Sequence, residues 1–484
     1  MSDPSALPAL DITRDPEVIE GYLRDASNTR GRAEALARPR SAEEVAELVT
    51  FCQARAIPLT VTARRSSTTG SPVPEGGWLL STERLNRVLA LDEAEGGVLL
   101  GDYQRQVEAA GWLFPPDPTS RDESALGATL ACNASGARSF RYGPTRPWVE
   151  ALEVVLPTGE LRWVDRGTPI PAAWPRPTWT EPAVKTAAGF YPADNLFDLI
   201  IGSEGTLGVI TRAKLRLTAL PARVVALIAF FPDLERTLAF VALARRGAAR
   251  PGIAAEAGAL NPRAIEYFDH HALDMVKSRV PDIPAAAAHA LYVEIEALPE
   301  DERGGEGEGD LLERWFDALT LAGALAEDTI VAEDELGQRR LRAVRHAVPA
   351  GVGELVAKNG MPKVGTDFAV PDGALAEMMA AYAAVDLPHV CFGHIGDNHL
   401  HLNLFPRSPS ELAHARALYR ELALKAVSLG GTVSAEHGIG KLKRALLAEM
   451  VGPETLNAMT ALKQAADPAW ILGRGTLFAA PVLA

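Results

Sequence analysis

Residues 127–143, GATLACNASGARSFRYG, alternate tiny and polar side chains with no apolar stripe at helical or strand spacing. A backbone this bare has nothing with which to build its own core, and it suits a place where main chain comes close to a flat ligand. The fold must therefore draw its core from elsewhere and lay this segment along an opening. Three further stretches share the habit. Residues 63–77, ARRSSTTGSPVPEGG, follow an expected strand and allow a tight loop with exposed backbone N–H groups, fit to receive phosphate oxygens or to be a plain surface turn. Residues 115–120, PPDPTS, are stiff enough to hold their shape at little entropic cost on binding. Residues 202–211, GSEGTLGVIT, place Gly202, Gly205 and Gly208 just before a strand, as a cradle or as a β-bulge.

Core material is ample in the rest of the chain. At 484 residues, 47% of them hydrophobic and 23% charged, a multidomain globular enzyme with two or three cores is expected. The formal charge of −14 argues against a nucleic-acid partner. The three cysteines, Cys52, Cys132 and Cys391, have no paired spacing, so neither a disulfide framework nor a cysteine-ligated cluster is expected, which fits a reducing cytoplasm. The N-terminus carries acids and prolines where a signal peptide needs a basic start and an apolar run. No apolar run approaches the ~20 residues of a membrane span, which leaves only peripheral contact with the inner face of a membrane open.

Residues 38–61 read as a helix and then a strand, with Ser41 as N-cap, Glu44 at the capping-box position, and Val45, Leu48, Val49 and Cys52 on one face. Residues 151–164 read as two strands about a Pro-Thr-Gly turn, and 207–217 as a strand that closes the first α+β region. The pattern restarts near residue 222 with a strand at 224–231, an amphipathic helix over 233–249 and a strand at 290–298. Residues 301–310, DERGGEGEGD, read as a solvated surface loop. Strands follow at 363–371, 389–395 and 399–405, then a long helix over about 409–429.

Three of the ten histidines, His394, His399 and His401, fall in CFGHIGDNHLHLNLF beside Asp397 and Asn398. In a strand, His399, His401 and Asn403 share one face and the leucines between them the other. A hairpin about Gly-Asp-Asn returns His394 to that face. SAEHGIGKLKR at 434–444 adds Glu436 and His437. Two imidazoles and a carboxylate suit a divalent metal; histidines that merely satisfy hydrogen bonds at a hairpin tip are the alternative. A zinc hydrolase is a rival, although the H-E-x-x-H helix is absent.

In their order and spacing the four bare segments resemble the flavin-binding domain of the vanillyl-alcohol oxidase and p-cresol methylhydroxylase family, over about residues 38–217. The resemblance implies an α+β fold of two subdomains that holds extended FAD. Its cofactor positions fall here on Arg65, Ser66, Ser67, Thr68, Thr69 and Gly70; on Pro116, Asp117 and Ser120; on Gly127, Asn133, Ser135, Gly136, Arg141, Tyr142 and Gly143; and on Glu204, Gly205, Gly208, Val209 and Ile210. The loop departs from the usual R-G-G-G-T-S-x-x-G, because Arg64 and Arg65 stand where small residues are usual, adding charge to the phosphates or crowding them. It contains no histidine, so FAD is expected to be non-covalent.

The two histidine segments look like the C-terminal signatures of the FAD-linked D-2-hydroxyacid dehydrogenases, a group that includes D-lactate dehydrogenases, D-2-hydroxyglutarate dehydrogenase and the glycolate oxidase flavoprotein subunit. That resemblance implies a zinc or manganese ion on His394, His401 and Glu436, His437 as catalytic base, and Asn403 at the substrate. Arg345 and Lys363 are the expected partners of the substrate carboxylate. His399 stands where asparagine is usual and has no role in the pattern; the common N-P-G-K is replaced near Gly473-Arg474-Gly475. The expected organisation is α+β: an N-terminal extension (1–37), a two-subdomain FAD domain (38–220), an α+β cap with an antiparallel sheet (221–430), and a helical C-terminal portion (431–484) that returns to the FAD domain. The implied reaction is the metal-assisted, FAD-dependent oxidation of a D-2-hydroxy acid (D-lactate, glycolate or 2-hydroxyglutarate class) to the 2-oxo acid, with hydride transfer to flavin and electrons leaving to a separate acceptor (a protein, a quinone or oxygen); a homo-oligomer is left open. Two rivals stand beside it, a flavin-free metal hydrolase and a non-catalytic subunit that has lost FAD.

Overall fold

The computed structural model describes residues 10–280, 283–297 and 311–480. The acidic loop expected at 301–310 lies outside them.

The chain begins on a four-stranded sheet in which Ala35–Ala37, Trp78–Ser81 and Leu59–Thr62 run parallel and Ile12–Thr13 pairs antiparallel at the edge. The helix expected after Ser41 is Ala42–Ala54. The Ser41 hydroxyl accepts from Glu44 N, and Val45, Leu48, Val49 and Cys52 are buried. The Glu44 carboxylate reaches back past the cap to accept from Arg40 N at 2.6 Å, so the first turn is closed from both sides.

A second sheet of five antiparallel strands runs in the order Val88–Ala90, Glu93–Glu95, Val209–Leu215, Val149–Val155 and Leu161–Asp165. The last two are the hairpin read from the Pro-Thr-Gly turn. These two sheets are the subdomains of the first domain.

The second domain is built on an eight-stranded antiparallel sheet. Its strand Val224–Phe231 is apolar on both faces, and the two sets of side chains enter different cores. Val225, Leu227, Ala229 and Phe231 join Phe240 and Trp315, from helices Leu234–Arg245 and Leu311–Leu321. Ala226, Ile228 and Phe230 join Leu273, Leu341 and Val348, from helices His270–Val276 and Glu335–Asn359. Helices on both faces explain why this antiparallel strand lacks the polar alternation of a half-solvated one.

After helix Pro409–Ser428 the chain crosses an irregular segment and enters Arg444–Ala466, which is broken at Gly452 (φ 75°) before Pro453. The end of the chain lies against the first sheet, where Leu59 N donates to Ile471 O at 2.6 Å and Gly473 N to Leu59 O at 3.1 Å. Buried Lys463 fastens this return, donating to Asp467 Oδ2, Thr206 O and Leu472 O.

Candidate active site

Strands His389–His394 and His399–Leu404 form a hairpin whose turn, Ile395–Asp397, ends on Asn398 in the left-handed region (φ 52°). Asparagine tolerates that conformation better than most residues. The register sets His394 opposite His399 and Phe392 opposite His401. Ring centroids of His394 and His401 are 5.6 Å apart, and His399 lies 5.3 and 4.5 Å from them. Glu436, from the segment after helix Pro409–Ser428, faces all three: Oε2 is 3.4 Å from His394 Nε2 and 3.9 Å from His399 Nδ1, and Oε1 is 3.3 Å from His401 Nε2.

The outer nitrogens are held from behind. Glu266 Oε1 meets His394 Nδ1 at 2.5 Å, and Thr366 O lies 3.1 Å from His401 Nδ1. Such partners fix the tautomer and aim Nε2 inward. His399 differs. It is fully buried and neither ring nitrogen makes a hydrogen bond, although Nε2 is 3.0 Å from Asp367 Oδ1. Burial pushes this imidazole well below its usual pKa, which leaves it neutral, the ligating form. Burial also works against Glu436, yet His394, Lys185 and His399 pull its carboxyl well below the usual range.

Ligand-competent atoms of His394, His399, His401 and Glu436 lie within 4.8 Å of one another, as do those of Asp367, His401, Glu436 and His437. The first set fits a divalent cation better. Asp367 is already engaged by Lys443 Nζ (2.7 Å), Ser434 Oγ (2.8 Å) and the backbone N–H groups of His437 (3.1 Å) and Glu436 (3.3 Å). His399 faces Asp367 with Nε2 and turns Nδ1 toward Glu436.

Asp367 instead serves His437. Its Oδ2 is 3.4 Å from His437 Nδ1, and the His437 side chain is 35% exposed, the most open imidazole of the group. Burial lowers His437 to about 4 despite Asp367 and Glu436, so the ring is neutral near pH 7 and free to accept a proton. Beside it Lys363 Nζ donates to Asn403 Oδ1. Arg345 Nε donates to Glu266 Oε2 at 3.0 Å, on the carboxylate that holds His394.

A separate cavity opens in the first domain. It is bounded by residues 61–67 and 71–72, by Gly127, Ala128, Ala131 and Cys132, and by Glu204, Gly205, Gly208, Val209 and Ile210. Among the described residues no protein acceptor is found for the backbone N–H groups of 64–68, the condition of an anion-binding loop. Gly127 presses on Gly96, where a Cβ would meet the carbonyl oxygen at 2.9 Å. Arg64 and Arg65 both border the cavity: Arg64 is exposed, and the Arg65 guanidinium lies over the Tyr22 ring at 4.5 Å and donates from Nη1 to Ala63 O at 3.3 Å. These features fit an extended dinucleotide with its phosphates at the loop.

The remaining residues expected at the cofactor are not among those that line this cavity. Thr68 is exposed in the loop. Thr69 O accepts from Lys441 N at 2.9 Å, and Gly70 N donates to Asp25 Oδ2 at 2.8 Å. Pro116 O accepts from Gln104, Ser120 Oγ meets Ser124 Oγ, and Asp117 pairs with Arg121. Gly136 packs on Asp117 O, too close for any Cβ. Asn133 Oδ1 caps Arg146 N, and Ser135 Oγ points to Glu436 at 3.5 Å. Arg141 and Tyr142 turn to the second domain, both reaching Glu296, with Gly143 (φ 74°) ending their helix.

Cavity and histidine cluster are joined by one short run of chain, 436–441. Glu204, at the cavity wall, accepts the N–H groups of Ile439 (2.7 Å) and Gly440 (2.9 Å), while Lys441 Nζ donates to Gly70 O and Ser71 O. His437 therefore stands between the two chambers.

Sequence reasoning missed Lys185, Asp367 and Glu266. The Lys185 side chain is 6% exposed and lies 3.5 Å from Glu436 and 3.4 Å from Asp397. It follows a proline-rich stretch with no periodic signal. Glu266 was detectable in principle, as an acid in a mostly apolar strand that holds one other charged residue, Arg263.

Comparison with known proteins agrees with this architecture. Residues 33–165 match the FAD binding domain family, and 220–477 match the C-terminal domain of the FAD linked oxidases. The chain is 30% identical to the D-lactate dehydrogenase of Anaerostipes hadrus, over 95% of this chain and 93% of that protein. It is 28% identical to the glycolate oxidase subunit GlcD of Bacillus subtilis (92% and 89% covered), and 29% identical to the D-2-hydroxyglutarate dehydrogenase of Xanthomonas citri pv. viticola (99% and 98% covered). Among solved structures an alkyldihydroxyacetonephosphate synthase superposes with a TM-score of 0.67 at 17% identity, covering 97% of this chain and 82% of that one, a likeness of fold alone. The two-sheet first domain thus has the vanillyl-alcohol oxidase type of fold and is an FAD-binding domain, and the chain belongs to the FAD-linked oxidases.

Proposed function

We propose that the protein oxidises a D-2-hydroxy acid to the 2-oxo acid, with non-covalent FAD and a divalent metal, zinc or manganese. The observation that carries this reading is the position of His437, between the FAD cavity and the cluster of His394, His399, His401 and Glu436. The names of the relatives, which act on lactate, glycolate or 2-hydroxyglutarate, support the substrate class.

Bound FAD supplies the two-electron acceptor for the hydride that leaves the substrate Cα. A cation on the three histidines and Glu436 supplies Lewis acidity toward the substrate hydroxyl. His437, neutral and open, takes the hydroxyl proton. Asp367 behind Nδ1 holds the ring in place and stabilises the imidazolium that results. Lys363, Asn403 and Arg345 orient the carboxylate, and such positioning contributes several kcal/mol to the barrier in comparable sites. Electrons then leave to a separate acceptor, a protein, quinone or oxygen. Among the described residues no helix is long and apolar enough to cross a membrane; a cytoplasmic site, free or against the inner face of the membrane, is part of this proposal.

Anaerobic mixing with a panel of D- and L-2-hydroxy acids tests the reading. A yellow protein absorbing near ~450 nm, as oxidised flavin does, is expected to bleach with D-acids. A protein that stays yellow with all of them sinks it.

Lys363 gives the reaction a pH signature. Its ammonium donates to Asn403 Oδ1, and burial lowers its pKa to about 8. A lysine is charged below its pKa, so carboxylate binding weakens as pH rises through that value. We expect kcat/KM to fall above about pH 8, and Lys363→Arg to remove the fall, because arginine keeps its charge. An alkaline limb identical in the variant assigns it to another group.

A further inference from the structure

The segment before residue 38, which sequence sets apart as an extension, lies along the loop that borders the cavity of the first domain. Residues 22–34 run beside residues 65–77. Ala26 N donates to Arg65 O at 3.1 Å, Arg32 N to Pro74 O at 2.9 Å and Glu34 N to Gly77 O at 2.8 Å, while Gly76 N donates back to Arg32 O at 2.9 Å. The approach is so close that a Cβ on Gly31 would meet Pro74 O at 2.1 Å. Ile19 and Leu23 anchor the segment in a small core with Leu36 and Leu79 of the first sheet.

Two side chains of this segment reach the loop itself. Asp25, buried, accepts from Gly70 N at 2.8 Å through Oδ2 and from Ser27 N at 3.0 Å through Oδ1. It thereby fixes the end of the loop whose N–H groups at 64–68 are open. Tyr22 is held by donating from its hydroxyl to Glu83 Oε1 at 2.7 Å, and its ring faces the Arg65 guanidinium at 4.5 Å.

The backbone of Arg65 explains why the loop needs this support. Its φ is 59°, in the left-handed region that is costly for a residue with a Cβ. Arginine stands here where small residues are usual, yet the position keeps a backbone that suits glycine. Left to itself, an arginine would relax to negative φ and swing the neighbouring N–H groups away from the cavity. Both ends of the residue are held from outside the loop instead, the carbonyl by Ala26 N and the guanidinium by the Tyr22 ring.

We propose that residues 22–26 are a brace that keeps Arg65 left-handed and so pre-forms the loop for the FAD phosphates. Tyr22 and Asp25 are then positioning residues for the cofactor, and part of its affinity is set outside the expected flavin domain, because a loop ordered in advance costs less to fill. The inference rests on the reading of the cavity as the seat of FAD.

The test is FAD affinity of the full-length protein, titrated by flavin fluorescence after the cofactor has been removed. Tyr22→Leu is expected to weaken binding at least about fivefold, and Tyr22→Phe, which keeps the ring, less than about twofold. The same Tyr22→Leu change is then made in an Arg65→Gly background. Glycine takes positive φ without a brace, so the loss there is expected to be less than about twofold. Equal losses in the two backgrounds would show that Tyr22 supports the fold in general, and would overturn the brace. A second comparison does not depend on the folding of Tyr22→Leu. Arg65→Ala keeps the conformational cost and loses the ring contact, so it is expected to bind FAD at least about fivefold more weakly than Arg65→Gly; equal affinities overturn the brace as well. A parent protein that binds FAD no better than Tyr22→Leu removes the brace alone, whereas a parent that takes up no FAD removes the cavity reading and the brace with it.

Discussion

Replacing His437 with asparagine is expected to lower kcat by about 10²–10⁴-fold, the usual contribution of a positioned general base, with FAD still bound and yellow. Asparagine keeps the polarity and most of the volume of the ring but cannot take a proton at neutral pH. Retention of FAD follows from the contacts that hold the segment, which are backbone and neighbouring groups: Asp367 accepts His437 N, and Glu204 accepts Ile439 N and Gly440 N. The loss belongs in kcat and in the rate of anaerobic flavin reduction, with a smaller change in substrate affinity. Asp367→Asn should give a milder kinetic defect and some loss of stability, since that carboxylate also holds Lys443 and Ser434. Flavin reduction in His437→Asn at the parent rate would remove the ring from the chemistry and leave it a wall of the channel.

Local order was legible where the signal is local. Ser41 and the stripe Val45–Leu48–Val49–Cys52 are enough for a helix, because capping and one apolar face are decided within a few turns. Period two in HLHLNLF was enough for the strand and for the common side of His399, His401 and Asn403. Convergence was not legible from spacing. Glu436 lies 35 residues beyond His401 by number, and nothing in that spacing requires the approach that brings Oε1 to 3.3 Å from Nε2. The single strand expected at 363–371 is split into Val364–Gly365 and Phe368–Ala369, and Asp367, in the gap, was passed over because a lone acid there has no pattern that marks it as buried and held by four hydrogen bonds. The same reasoning left His399 without a role, since a family pattern describes shared residues and is silent on a departure. Its environment supplied the meaning.

Removal of the proposed metal is expected to give the second large effect. Dialysis against a chelator should lower turnover at least about a hundredfold, with no loss of flavin colour, and one equivalent of zinc or manganese should restore it; several kcal/mol of Lewis acidity are at stake. The donor set argues for a firm site, three imidazoles and a carboxylate converging in a nearly buried pocket, with Glu266 and Thr366 holding two of the rings from behind. His401→Ala should lose the ion outright. His399→Asn is the sharper experiment, because it restores the residue common in relatives and removes only the imidazole whose nitrogens lack hydrogen bonds. If that ring is a ligand, the variant binds zinc at least about tenfold more weakly, and cobalt substituted into the parent and variant shows different visible spectra. Equal affinity and identical cobalt spectra would make His399 packing, and the cation would then rest on His394, His401 and Glu436 alone. Because the readouts are metal content and cobalt absorption, the outcome stands whichever hydroxy acid the protein oxidises.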